Sequence, residues 1–219
     1  MSVIDSLRGF FMVFRFGLLL CAVVFSISVK AETVVVLGDS ISAAYGIEVE
    51  QGWVQVLAAK LQKAGSRARI QNESISGETS AGGLARIDRI LHAQKPAVVI
   101  IELGANDGLR GLSPAELKHN LAEIIRRSQA IGAKVLLLSM TIPPNYGKRY
   151  IDMIYNVYVE LSREMAAPAI PFILDDIALV KELMQPDGLH PNAKAQPLIA
   201  DKIWRHLLPL LKTLPEKRD

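Results

Sequence analysis

The sequence Thr33-Val-Val-Val-Leu-Gly-Asp-Ser-Ile-Ser42 contains an unbroken run of apolar, mostly β-branched residues that stops at Gly38. Such a run is typical of a parallel strand that is buried on both faces. Asp39 and Ser40 follow at the carboxyl end of this strand, where open parallel sheets bind their ligands. The stretch therefore predicts both the class of fold and the edge of the sheet at which a functional site lies.

The rest of the chain alternates apolar runs with helical periodicities, and it contains no internal repeat. Further strands are predicted at 67–71, 97–101, 134–139 and 170–174. Helices are predicted around 53–61, 84–91, 114–131, 149–166 and 198–211. Strands that alternate with helices imply a parallel sheet covered on both faces, which is a three-layer α/β/α sandwich.

Polarity distinguishes the second predicted strand from the others. Residues 67–71 alternate polar and apolar side chains, as expected for a strand at the edge of a sheet. This position gives a five-stranded sheet in the order 2-1-3-4-5, the flavodoxin-like winding, in which the loops after strands one, two and three are neighbours. Ser113-Pro114-Ala115-Glu116 also predicts a capping box at the start of one helix.

Length and charge limit the possible functions. With 219 residues, half of them apolar, the chain suits one well-packed domain. Its formal net charge is only +3, and its Lys and Arg residues are scattered among acidic ones. We therefore expect no nucleic-acid partner. Cys21 is the only cysteine, so neither a disulfide nor thiol catalysis is expected in the domain.

The first 31 residues have the pattern of a secretory signal peptide. Arg8 lies in a basic start, residues 17–29 are uncharged and apolar, and Ala31 is a suitable cleavage site. An uncleaved membrane anchor is less favoured, because Arg15 interrupts the longer apolar span and the remaining run is too short. We expect a mature domain at 32–219 that is periplasmic or secreted and has no stable membrane insertion after cleavage.

Four segments carry side chains capable of catalysis. They are Gly38-Asp39-Ser40, Ser74-Ile-Ser-Gly-Glu-Thr79, Gly104-Ala-Asn-Asp107 and Asp187-Gly-Leu-His190. Each alone is compatible with an ordinary turn, since Asp, Asn and Ser readily bond to nearby backbone groups. Together they supply a hydroxyl nucleophile, a base, an acid to orient the base, and donors for an oxyanion, which favours a serine hydrolase.

The chain resembles the GDSL, or SGNH, hydrolase family. The resemblance covers essentially all of the sequence after residue 31, through GDSISAAYG, NESISGETSAGGLARI, IELGANDGLRGL, PPNYGKRY and MQPDGLHPNAKAQPLIA in that order. It implies the SGNH fold, with Ser40 as nucleophile, Asp187 and His190 as acid and base, and an oxyanion hole formed by Ser40, Gly77 and Asn106. It further implies hydrolysis of acyl esters and thioesters, as in arylesterases, lysophospholipases and acyl-CoA thioesterases.

Three apolar or aromatic residues are candidates for substrate binding. As a hypothesis that rests on the resemblance, residues 108–113 form a mobile flap in which Leu109 and Leu112 contact an acyl chain. Without the resemblance, this segment would be an ordinary strand-to-helix connection. Tyr146 is a second candidate wall of the acyl site.

No cofactor and no metal ion are expected. His92, His119 and His206 lie on separate predicted helices without ligand-like spacing. Ser42 stands where a Gly-x-Ser-x-Gly elbow requires glycine, which argues against an α/β-hydrolase. Asp39 is expected to fix the nucleophile loop by hydrogen bonds rather than to transfer a proton.

Two other functions are compatible with the sequence. A carbohydrate or peptidoglycan O-acetylesterase could use the same triad, but it would need a short, polar pocket. A catalytically dead acyl-binding protein is less favoured, because Ser40, Asp187 and His190 are all present. The expected partner is a small-molecule acyl ester or thioester, and a monomer is expected.

Overall fold

A computed structural model describes residues 32–214, so the predicted signal peptide at 1–31 lies outside the described residues. Five strands pair in parallel in the order β2-β1-β3-β4-β5, which confirms the predicted winding. The strands are β1 (Thr33–Gly38), β2 (Arg69–Asn72), β3 (Val98–Glu102), β4 (Lys134–Leu138) and β5 (Ala169–Ile170).

The polarity of each strand matches its position in the sheet. In β1, every side chain from Val34 to Leu37 is fully buried, because helices cover both faces of the sheet. By contrast, three of the four residues of β2 are exposed, and β2 pairs only with β1. A polar edge strand of this kind discourages pairing with another chain.

Six α-helices connect or follow the strands in the described part of the chain. They are α1 (Trp53–Lys63), α2 (Ser80–Gln94), α3 (Ala105–Leu109), α4 (Pro114–Ala130), α5 (Lys148–Glu164) and α6 (Gln196–Lys212). Helix α1 packs against α6, while α4 packs against both α2 and α5. Within residues 32–214, no helix is long and apolar enough to cross a membrane.

The last strand is shorter than the predicted 170–174. It ends at Ile170, because Pro171 fixes its own φ outside the range of a parallel strand. The chain then turns, and the Asp175 N–H donates to the Phe172 carbonyl at 3.1 Å. Leu174 remains buried although it is not in the sheet.

The start of α4 differs from the predicted capping box. The Ser113 hydroxyl makes no capping hydrogen bond, although Pro114 does occupy the first turn of α4. Ser113 and Glu116 are both exposed, so water can satisfy the N–H groups that a capping box would bind. Ile131 and Leu198 are about half exposed, because Ile131 follows the end of α4 and Leu198 lies beside the buried stripe of α6.

We expect Gly104→Ala to destabilise the fold severely. Gly104 has φ = +120°, and a Cβ there would overlap the buried Tyr158 hydroxyl, which donates to the Leu103 carbonyl at 2.7 Å. Backbone strain and overpacking together should lower the free energy of unfolding by about 3 kcal/mol or more.

Gly132→Ala is the matched control for strain alone. Gly132 has φ = +83°, but a Cβ there would meet no atom within 4 Å. It should cost only about 1 kcal/mol. Urea unfolding of both variants measures the difference, and equal losses would contradict the steric role of Tyr158.

Candidate active site

The pairing of β1 with β3 brings together the first and third candidate loops. Gly38 lies opposite Glu102 in this register, so the segments that follow β1 and β3 leave the sheet side by side. The loop after β2 is fastened to the same edge, since the Ile75 N–H donates to the Gly38 carbonyl at 3.0 Å. Ser40, Gly77 and Asn106 therefore line one cavity.

A continuous chain of hydrogen bonds joins Ser40, His190 and Asp187. The Ser40 Oγ lies 2.8 Å from the His190 Nε2, and the His190 Nδ1 lies 2.7 Å from the Asp187 Oδ2. The carboxylate at Nδ1 favours the tautomer with its proton on that nitrogen, which leaves Nε2 free to accept the Ser40 proton. The structure thus brings together the three residues that the sequence suggested for catalysis.

Asp187 is held within a compact turn of its own. Its Oδ1 accepts the N–H groups of Leu189 at 2.9 Å and His190 at 3.0 Å. Partial burial raises the pKa of Asp187, but these two bonds and the imidazole outweigh burial and hold the pKa below its usual value. The turn is closed by the Gln185 N–H, which donates to the His190 carbonyl at 2.8 Å.

Asn106 and Gly77 are held by neighbours outside the triad. Asn106 lies in the first turn of α3, and its Nδ2 donates to the Asp39 Oδ2 at 3.0 Å, which leaves the second amide hydrogen available. Gly77 has φ = +79°, and its carbonyl accepts a bond from the Arg110 Nη2 at 2.7 Å. Asp39 therefore lies in the loop scaffold, as expected from the sequence.

The cavity beside Ser40 has a volume of about 580 Å³, within the range of small-molecule sites. Its walls are mainly apolar and include Leu109, Met140, Ile142, Pro143, Phe172, Leu174, Ala178 and Leu179. Leu112 and Tyr146 do not line the cavity, unlike Leu109. The Tyr146 hydroxyl instead donates to the Leu109 carbonyl at 2.8 Å, so Tyr146 holds a residue of the cavity wall without lining the cavity itself.

Sequence reasoning missed several parts of the site, including the wall residues Met140 and Ile142. The wall at Phe172–Leu179 was hidden because part of this segment was predicted as a strand. Tyr45 was also missed, although its ring lies 4.6 Å from the His190 ring, centroid to centroid. Its position within GDSISAAYG was the only available signal.

In residues 32–214, no group of three or more His, Cys, Asp or Glu side chains could hold a metal ion. The three histidines outside the triad lie on three different helices: His92 on α2, His119 on α4 and His206 on α6.

We expect the stability difference between Asp39→Asn and the wild type to depend on pH. Burial raises the pKa of Asp39 from 3.8 to about 6, although the hydrogen bond from the Ile41 N–H lowers it. The folded protein thus holds this proton more tightly than the unfolded chain, and wild-type stability falls as the pH rises between about 4 and 6. As the pH rises from ~4 to ~7, the free energy of unfolding of Asp39→Asn should therefore increase by about 2 to 3 kcal/mol relative to that of the wild type.

Urea unfolding at several pH values measures this difference. Ser40→Ala is the control, because it leaves the buried carboxyl groups in place and its stability should follow the wild-type curve. A stability difference between Asp39→Asn and the wild type that stays constant with pH would contradict the raised pKa.

Comparisons with known proteins agree with the geometry. Residues 36–197 match the model of the GDSL-like lipase/acylhydrolase family. Esterase TesA of Pseudomonas aeruginosa is 49% identical over 181 residues, which cover 83% of this chain and 90% of TesA. Thioesterase 1/protease 1/lysophospholipase L1 of Escherichia coli K12 is 40% identical over 181 residues, covering 83% of this chain and 86% of that protein.

A solved structure extends the likeness to three dimensions. The psychrotrophic esterase EstA from Pseudoalteromonas sp., in a structure inhibited by monoethylphosphonate, superposes with a TM-score of 0.80 and is 44% identical. The match covers 83% of this chain and 100% of EstA. The resemblance inferred from the motifs is confirmed: the chain belongs to the GDSL-like lipase/acylhydrolase family and is a carboxylic ester hydrolase.

Proposed function

We propose that this protein hydrolyses medium- to long-chain acyl esters and thioesters through a covalent acyl-enzyme on Ser40. The observation that carries the proposal is the Ser40–His190–Asp187 hydrogen-bond chain at the end of an apolar cavity. A nucleophile, a base and an orienting acid in contact are the parts that acyl transfer requires.

In the first half-reaction, the Ser40 Oγ attacks the carbonyl carbon while its proton passes to the His190 Nε2. Asp187 stabilises the imidazolium that forms, and His190 then protonates the leaving alcohol or thiol as the bond to it breaks. In the second half-reaction, His190 takes a proton from water, which attacks the acyl carbonyl. The acid leaves, and the proton returns to Ser40.

The negative charge on the tetrahedral carbonyl oxygen needs donors that are already in position. We assign this role to the backbone N–H groups of Ser40 and Gly77 and to the free hydrogen of the Asn106 amide. All three residues line the cavity, and the Asn106 Nδ2 is oriented by its bond to Asp39. Such donors stabilise the transition state because they need no reorganisation during the reaction.

The walls of the cavity support an acyl substrate. Each methylene that enters an apolar site contributes about 0.8 kcal/mol, so the walls favour longer chains while discriminating weakly between similar ones. The name of the Escherichia coli relative, a thioesterase and lysophospholipase, supports thioesters and lysophospholipids as substrates. A sugar acetate would need a shorter and more polar pocket, so the structure does not favour an O-acetylesterase.

We also propose that residues 1–31 are a cleaved signal peptide and that the domain at 32–219 acts in the periplasm or outside the cell. The charge and hydropathy pattern of the first 31 residues supports this proposal. The family match begins at residue 36, after the proposed cleavage site, which is consistent with a leader that precedes the domain.

Ser40→Ala should lower kcat for nitrophenyl esters and acyl thioesters by about 10⁴-fold or more, because no other group can form the acyl-enzyme. Substrate turnover by purified proteins measures this loss. Labelling of the wild type, but not Ser40→Ala, by a fluorophosphonate is the parallel check. Undiminished hydrolysis by Ser40→Ala would exclude the proposed mechanism.

Leu109→Ala should reduce kcat/KM for long-chain esters by about tenfold while changing it little for the acetate, because Leu109 lines the cavity. Leu112→Ala is the matched control, since Leu112 is 37% exposed and lies outside the lining. Nitrophenyl esters of increasing chain length give the comparison. A wild-type rate that falls steeply from the acetate onward would favour the O-acetylesterase instead.

A further inference from the structure

Glu102 is a buried carboxyl group that takes no part in the proposed reaction. It ends β3 and is fully buried. Its Oε2 accepts the Ser42 hydroxyl at 2.7 Å and the Asp39 N–H at 3.2 Å. Its Oε1 is buried and accepts no hydrogen bond from the described residues. An ionised carboxylate would leave that oxygen unsatisfied, which is costly in a dry interior.

A second buried carboxyl group lies against the first. Asp39 is 1% exposed, its backbone N–H donates to the Glu102 Oε2 at 3.2 Å, and the charge of its carboxylate raises the pKa of Glu102. Among residues 32–214, no Lys, Arg or His forms an ion pair with either group. Two adjacent buried carboxyl groups without a cation cannot both be ionised, so the pair retains one proton.

The surroundings of the two groups decide which of them holds the proton. Burial raises the pKa of Glu102 well above its usual value, and the charge of Asp39 raises it further. Each oxygen of Asp39 accepts a bond that stabilises its ionised form, Oδ1 from the Ile41 N–H at 3.1 Å and Oδ2 from the Asn106 Nδ2 at 3.0 Å. Both bonds to Glu102 fall on its Oε2 and leave the Oε1 without one. At neutral pH the proton of the pair therefore resides on Glu102, while Asp39 is a carboxylate.

We propose that Glu102 is a neutral carboxylic acid whose O–H donates to the Asp39 carboxylate, and that it thereby positions the Asn106 amide for the oxyanion. This proposal rests on the oxyanion role that we assigned to Asn106. Glu102 is a positioning residue, since it acts through Asp39 and touches no substrate. The Asp39 Oδ1 accepts the Ile41 N–H, and its Oδ2 accepts the Asn106 Nδ2. Because different donors hold its two oxygens, the carboxylate keeps one orientation, and so does the Asn106 amide that bonds to it.

Gly38 provides the space that this arrangement needs. A Cβ at Gly38 would lie 2.8 Å from the Glu102 Oε2 and 2.7 Å from the Ser42 Oγ. Both distances are below any normal contact, so a side chain at this position would displace the Glu102 carboxyl group. The glycine that precedes Asp39 is thus explained by the closeness of Ser42 and the buried Glu102 and not by its φ angle.

Infrared spectroscopy tests the location of the proton in the folded protein, whether or not the enzyme turns over. At neutral pH the wild type should show the carbonyl stretch of a protonated carboxylic acid, and E102Q should lack it. The amide of E102Q replaces the O–H donor and accepts from Ser42, so it should fold and keep kcat within about threefold of the wild type. A wild-type spectrum without this band, or a band that persists in E102Q, would overturn the proposal.

A double-mutant cycle tests whether Glu102 acts through Asn106. E102L removes the donor and should lower kcat by about 10- to 100-fold, with KM little changed because the acyl cavity is untouched. In a background of Asn106→Ala, the same substitution should add almost no further loss. Losses that multiply would show that Glu102 does not act through Asn106. Activity that survives in Ser40→Ala would instead refute the proposed function, and the infrared result would stand apart from it.

Discussion

The site depends above all on the register of β1 against β3, which pairs Gly38 with Glu102. This register determines which residues meet where the two strands end. It carries Ser40 out of the sheet next to the short helix that bears Asn106, and it buries Glu102 below the nucleophile loop. A shift of one residue would point every side chain of β1 to the opposite face and would no longer pair Gly38 with Glu102, so the geometry of the site depends on this register.

The polar catalytic groups and the apolar cavity wall occupy different parts of this site. The polar groups lie at the carboxyl edge of the sheet, where strand ends and helix starts supply fixed donors and acceptors. The apolar wall comes from Leu109 on one side and from the irregular segment containing Phe172 and Leu174 on the other. The fixed part provides the chemistry that the family shares, while the irregular part can vary without disturbing the sheet.

Sequence patterns predicted the strand order and the polar loops because both follow from local rules. Runs such as Val34–Leu37 are buried on both faces, and the polar strand was correctly assigned to the edge. The cavity wall at Phe172 was missed because residues 170–174 were predicted as one strand, and their apolar side chains do not indicate that the chain turns after Ile170. Glu102 was missed for a different reason: one acid at the end of an apolar run gives no sign that it is buried against Asp39.

Asp187 and His190 lie in one hydrogen-bonded turn, but Ser40 reaches that turn by a single bond across 150 positions of the sequence. A displacement of this turn would separate the base from the nucleophile and leave the acid–base pair intact. Because loss of activity needs only this turn to move while the buried sheet stays folded, we expect thermal inactivation to begin as a local event. The temperature at which activity is lost should therefore lie below the melting temperature of the domain.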